Sequence, residues 1–242
     1  MRIAALYDVH GNLPALEAVL AEVEREEVDA IVLGGDCIHG PQPEETLRRL
    51  RALGERALWI RGNTDRLIAG DDASDELHTW VAAQIGDDEV AFLDSLPLTQ
   101  RLEVDGLGDT LFCHATPRND EEIVTPLTSD DRLNEILQGV KASTVVVGHT
   151  HMQEDRTIGG IRWVNAGSVG LPYEDDIKAF WALLGPDVEL RRTPFDAEAA
   201  AGAFEAVGRE DAVRFAENFR TAPSRREAAE YFEEIAAERG ER

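Results

Sequence analysis

The stretch Ile3–His10, IAALYDVH, runs five apolar or aromatic residues straight into Asp8-Val9-His10. An unbroken apolar run of that length reads as a strand buried on both faces. Leu13 to Glu26, with Leu16, Val19, Leu20 and Val23 on one face, reads as the helix after it. The pair then repeats. Ala30–Leu33 is a second strand before a helix from Pro43 to Leu53, and Ala57–Ile60 is a third. A helical pattern extends from Ser74 to Leu93 with a break near Gly86. Strands alternating with helices predict an α/β layer fold.

The middle of the chain changes character. RLEVDGLGDTLFCHA predicts two strands around the turn residues Asp105 to Asp109. Asp130–Leu137 reads as a short helix and Thr144–Val147 as another buried strand. EDRTIGGIRWVNAGS predicts a hairpin turning at Gly159-Gly160, and Ala179–Leu184 with Val188–Arg192 predicts a last strand pair. After Pro194 the strand signal stops. Ala197–Val207, Asp211–Phe219 and Arg225–Arg239 read as three helices, the last with Ser224 and Glu227 at capping-box spacing. The expected organisation is therefore a body over residues 1–195 and a helical appendage, 196–242, packed on it.

The residues at the end of each apolar run carry the chemistry. The first run ends in Asp8-Val9-His10 and the second in Gly34-Gly35-Asp36. The third ends in RGNTDR, which presents Asn63 after Gly62. Leu111–Cys113 ends in His114, and Val145–Val147 in Gly148-His149-Thr150-His151. Ligand sites of open α/β sheets lie at the carboxyl ends of strands. Oxygen and imidazole donors with no thiolate suit divalent ions such as Mn, Fe or Zn. Residues two apart on an extended chain share a side, so Asp8 with His10, and His149 with His151, are expected to face one site. Seven donors exceed what one ion uses and suit two ions roughly 3.5–4 Å apart. Glycine before Asp36, Asn63 and His149 is expected to let the backbone approach the cluster.

Composition bounds the partners. Asp and Glu outnumber Lys and Arg by 48 to 24, a net charge of -24. That field disfavours broad nucleic-acid binding and an anionic membrane surface, and leaves bound metal ions as the source of positive charge for an anionic substrate. No run reaches the ~18 apolar residues of a membrane span. The start MRIAALYD lacks a signal-peptide pattern, and Cys37 and Cys113 form no disulfide framework. A cytoplasmic protein, with a homo-oligomer allowed, is the expectation.

The series Asp8-x-His10, Gly35-Asp36, Gly62-Asn63, His114 and Gly148-His149-x-His151 resembles the calcineurin-like metallophosphoesterase superfamily, in particular its small bacterial and archaeal phosphodiesterases. The resemblance spans about residues 1–195. It implies a two-sheet β-sandwich flanked by helices. It also implies one ion on Asp8, His10, Asp36 and His151, and a second on Asn63, His114 and His149, with Asp36 bridging. Manganese is the first choice, with Fe, Zn, Ni or Mg as alternatives. The implied reaction is hydrolysis of a small phosphoester, a diester first, by a hydroxide held between the ions.

One position departs from the family. Many members carry His where this chain has Thr64, and a threonine hydroxyl is too weak an acid for the leaving oxygen. His39 is the candidate substitute and Asn63 a second catalytic contact, whereas His78 reads as filler on a helix. Asp65 is expected to cap the helix after it; Arg61 and Arg66 are expected in solvent. NAGSVG, Asn165–Gly170, resembles a family loop beside the site, with Ala166 where Pro is frequent. An Asp-x-Asp nucleophile motif, a Walker loop and Gly-x-Ser-x-Gly are all missing from the sequence. Phosphomonoesters, phosphoproteins and dinucleoside polyphosphates remain alternative substrates, and a non-catalytic scaffold remains an alternative role.

Overall fold

Two five-stranded sheets face each other across a layer of apolar side chains in a computed structural model, which describes residues 1–70 and 76–241 apart from the side chain of Asp211. In the first sheet β1 (Ile3–Leu6), β2 (Ala30–Leu33) and β3 (Ala57–Trp59) run parallel. Helices α1 (Leu13–Val23) and α2 (Pro43–Arg51) connect them. The chain then forms α3 (Asn63–Ala69), α4 (Glu76–Ile85) and α5 (Asp87–Asp94). The expected break falls at Gly86, in left-handed backbone (φ 81) that glycine tolerates. The expected helix start at Ser74 lies outside the described residues.

The second sheet has the order β4-β5-β6-β8-β7, from β4 (Thr99–Val104), β5 (Gly108–Cys113), β6 (Thr144–Val147), β7 (Glu154–Ile158) and β8 (Ile161–Asn165). Its centre is parallel (β5 with β6, β6 with β8) and its edges are antiparallel hairpins. Helix α6 (Asp130–Ile136) precedes β6. The chain then returns to the first sheet, where β9 (Ala179–Leu184) pairs antiparallel with β1 and β10 (Val188–Thr193) completes the edge. The two-sheet α/β architecture implied by the family resemblance is the one observed.

Side-chain alternation places the layers. From β1 and the residue after it, Ile3, Ala5 and Tyr7 point between the sheets, where they meet Val32, Phe112, Val146 and Val164. Ala4 and Leu6 point outward into the core under α1 and α2. Tyr7 also satisfies its buried hydroxyl across the sandwich, donating to Val146 O at 3.0 Å. Both sheets therefore end their parallel strands at one edge of the molecule, and that common edge is where the site forms. At the far end of the chain, α7 (Ala197–Ala206), α8 (Glu210–Glu217) and α9 (Arg225–Glu238) come after β10. Ala200, Ala201, Phe204, Ala212, Ala216 and Phe219 build a separate apolar cluster there, sealed against Leu171.

Candidate metal centre

Five loops leave the sheet edge carrying the donors, and their backbone is unusual. Asp8 (φ 53), His10 (φ 47), Asp36 (φ 54), His149 (φ 65) and His151 (φ 61) all lie in the left-handed region. Among the described residues only Glu27 joins them without being glycine. Such residues cost about 1–3 kcal/mol each and persist only where surrounding structure over-determines them. The pairing of Asp8 with His10, and of His149 with His151, therefore does not come from strand alternation as the spacing suggested. β1 stops at Leu6 and β6 at Val147, and left-handed turns beyond them swing the donors together.

Each imidazole is oriented from behind. His10 Nδ1 donates to His39 O (3.0 Å), His151 Nδ1 to Leu171 O (2.6 Å) and His114 Nδ1 to Gly34 O (2.8 Å). A carbonyl can only accept, so in the neutral rings these bonds leave each Nε2 as a bare lone pair. The bare nitrogens of His10 and His151 lie 3.1 Å apart, and Asp8 Oδ1 lies 3.4 Å from the latter. Burial, and then the neighbouring His151, hold His10 below its ordinary pKa, so a proton does not bridge that gap readily. Asp8 Oδ1 is itself buried without a hydrogen-bond partner. Lone pairs converging without a donor fit a cation, since unsatisfied buried acceptors are otherwise expensive.

A second group adjoins the first. His114 Nε2 lies 3.6 Å from Asp36 Oδ1, 3.9 Å from Asp8 Oδ1 and 3.0 Å from Asn63 Oδ1. Burial lowers the His114 pKa, but Asp36 and then Asp8 outweigh it and hold the ring above its ordinary value. The oxygens thus draw positive charge to this nitrogen, and a divalent cation would satisfy the same three atoms. Asp36 spans the two groups: its Oδ2 lies 4.0 Å from His10 Nε2 while its Oδ1 faces His114. His149 stands beside His114 with ring centroids 5.1 Å apart, and its Nε2 donates to Glu121 O (3.2 Å), which leaves Nδ1 bare. Burial and then His114 push the His149 pKa down to about 4.

The surroundings hold these donors in place. Asp65, in the first turn of α3, accepts from Gly62 N and Asp36 N, both at 2.9 Å, so it caps the helix and also braces the Asp36 loop. Thr64 N donates to Asp36 Oδ1 (2.9 Å). Gly62 is required by proximity, because a Cβ there would sit 2.1 Å from Asp36 Oδ1. Gly62→Ala is accordingly expected to weaken divalent-metal binding about 10–100-fold, the range typical of disturbed ligand support, as read by manganese titration.

The other residues singled out in the sequence lie around this centre. Arg66 pairs with Asp120 and Glu121, and Arg61 with Asp94, so neither faces the site as a free cation. Cys113 turns into the core beneath α6, and Cys37 into the core under α1. His39 lines the cavity above the donors, and His78, read as filler, is buried with its ring 4.7 Å from that of His39. The loop Asn165–Gly170 is a truss that sequence alone did not assign. Ser168 Oγ donates to Asp8 O (2.7 Å), and Asn165 Nδ2 donates to Gly148 O (2.8 Å). It ties the end of β1 to the end of β6.

A family model for the calcineurin-like phosphoesterase superfamily domain matches residues 1–184. The chain belongs to that superfamily. A protein of Methanocaldococcus jannaschii, MJ0912, is 27% identical over 230 residues, covering 82% of this chain and 89% of the relative. The symmetrical bis(5'-nucleosyl)-tetraphosphatase of Nitrosococcus oceani is 30% identical over 148 residues, 57% of this chain and 52% of that enzyme. Among solved structures, a metallophosphoesterase from Sphaerobacter thermophilus superposes with a TM-score of 0.73 at 25% identity, over 90% of this chain and 99% of its own. Protein PH1004 of Pyrococcus horikoshii shares the fold, with a TM-score of 0.78 at 21% identity over 89% of this chain and 97% of its own. The calcineurin-like family is metal-dependent, and the two donor groups at the sheet edge are this chain's candidate ligands.

Proposed function

We propose that this chain is a dinuclear-metal-dependent phosphodiesterase. One observation carries the reading: two groups of candidate ligand atoms, Asp8 with His10 and His151, and Asp8 with Asp36 and His114, adjoin through the shared carboxylate of Asp8. In this reading Asp8, His10, Asp36 and His151 hold one ion, and Asn63, His114 and His149 hold the other with Asp36 between them. Two divalent ions bound there, manganese first, would supply acidified water and Lewis acidity at phosphoryl oxygens. The chain's own work is to hold seven donors in a pre-oriented array, so that little reorganisation is left for the reaction itself.

Proton delivery to the leaving oxygen falls to His39, which lines the cavity with Asn63 and Thr64. Thr64 cannot serve as that acid, so esters with good leaving groups are the favoured substrates. The two buried, unbridged cysteines suit a reducing compartment such as the cytoplasm. The kinship with a dinucleoside tetraphosphatase supports polyphosphate hydrolysis as a second reading. A scaffold role is less well supported, since a scaffold has no need for the complete donor set.

The test is metal analysis of the purified protein joined to hydrolysis of bis(4-nitrophenyl) phosphate and 4-nitrophenyl phosphate with added manganese. About two ions per chain and faster diester cleavage are the expected results. No retained metal and no cleavage of either ester would favour the scaffold.

A further inference from the structure

Helices α7 and α8 lie beyond residue 184, where the family match ends, yet they form a wall of the candidate site. Phe204 from α7 and Val207 just past its end, with Ala212 and Phe215 from α8, line a cavity of about 200 Å³ whose floor includes Asp36, Asn63 and His149. Leu77 of α4 and Leu171 face them from other sides. No lysine or arginine lines this cavity among the described residues.

The combination discriminates between substrates. Phosphate sites that handle several phosphates usually gather guanidinium or ammonium groups around them. Here the imidazole of His39 and ions held at the floor are the sources of positive charge. A second phosphate pushed toward the α7–α8 wall would lose its water against phenylalanine with no guanidinium or ammonium beside it, which is unfavourable. The chain's net charge of -24 adds to that rejection. An apolar group gains by the same burial. A cavity of about 150 Å³ accommodates one benzene ring, so the space beside the floor suits a single ring or a branched alkyl group. At its polar end Thr64, 8% exposed, has a hydroxyl with no partner and lines the same cavity.

We propose that the α7–α8 wall selects phosphoesters carrying one compact, uncharged, apolar or aromatic group next to the reacting phosphoryl, and turns polyphosphates away. The proposal rests on the reading of the sheet edge as a metal centre. It deepens that reading by assigning substrate class to Phe204, Val207 and Phe215.

Calorimetric titration of the manganese-loaded full chain with phenylphosphonate and methylphosphonate tests it, because both present the same head group and neither is hydrolysed. Phenylphosphonate is expected to bind about 10–100-fold more tightly, as burial of one ring implies. Phe215 is only half-buried, so Phe215→Ala leaves the Phe204–Phe219 cluster in place. In that variant the preference is expected to fall below about threefold, chiefly through loss of phenylphosphonate affinity. Val207→Ala, also half-buried, serves if Phe215→Ala does not fold, and is expected to shrink the preference in the same direction. Equal binding of the two phosphonates by the unmodified chain overturns the proposal while leaving the metal centre intact. So does a preference that both variants retain. Failure to hold manganese or to bind either phosphonate overturns the metal-centre reading, and the substrate proposal with it.

Discussion

Asp36→Ala is expected to lower kcat/KM for manganese-dependent diester hydrolysis by on the order of a thousandfold or more, beyond the ~10²–10³ supplied by a single oxyanion-hole donor. The size of the effect comes from position. Asp36 is the carboxylate whose two oxygens face different histidines, Oδ1 toward His114 at 3.6 Å and Oδ2 toward His10 at 4.0 Å. Its removal strips a ligand from both groups, and mass spectrometry of the metal content is expected to show loss of about one ion or both. Stability should move much less. The variant leaves Thr64 N without its acceptor, a loss of about 1–3 kcal/mol for a buried N–H. Against that, it removes a charge from beside Asp65, whose pKa is pushed up to about 6 by burial and then by Asp36 itself. Asp36→Asn separates the two roles, because its amide oxygen can still accept from Thr64 N while no longer bridging as an anion. Full activity in Asp36→Ala would remove the basis for a two-ion mechanism.

The order of strands and helices, and the candidate donor at the end of each apolar run, were legible in the sequence for one reason: both are local, whereas the division into two sheets came from the family resemblance. Apolar runs such as Ile3–Tyr7 and Thr144–Val147 announce buried strands, and the donor at the end of each run is a matter of adjacency. The means of convergence was not local. Asp8, His10, Asp36, His149 and His151 reach the site through left-handed backbone. That conformation is rare for such residues and is enforced by contacts far along the chain. Ser168, which fastens Asp8 O, is 160 residues away from it, so no spacing rule could expose the pair. The neighbour of His78 was hidden for a related reason: a helical pattern tells which face is buried, and not that the burial is against His39. Phe204 and Phe215 carried only the period of amphipathic helices, and a face that closes a core is indistinguishable from one that walls a cavity until both helices are placed.

Adding manganese to metal-stripped protein is expected to raise the melting temperature by roughly 5–10 °C for each ion. That figure combines about 2.7 kcal/mol at a ligand concentration of 100 Kd with about 2–4 °C per kcal/mol for a domain of this size. The cause is the arrangement of acceptors: Asp8 Oδ1 is buried without a donor, and the bare nitrogens of His10 and His151 face each other at 3.1 Å. A cation relieves that repulsion only in the folded chain, where the five left-handed residues hold the donors together. The increment also depends on pH, and its sign is determined by His114. Asp36 and Asp8 hold that ring above its ordinary value near 6.5 despite its burial, so the metal-free chain holds a proton on His114 to a higher pH than a free imidazole would. Binding expels the proton, and the manganese increment is therefore expected to shrink as pH falls through the raised His114 pKa and to grow above it. His149, already pushed down to about 4, adds nothing to this dependence near neutrality. Differential scanning calorimetry across that range, with and without a chelator, measures both effects. A melting temperature indifferent to manganese would mean that the converging donors do not bind the ion, whatever the activity of the preparation.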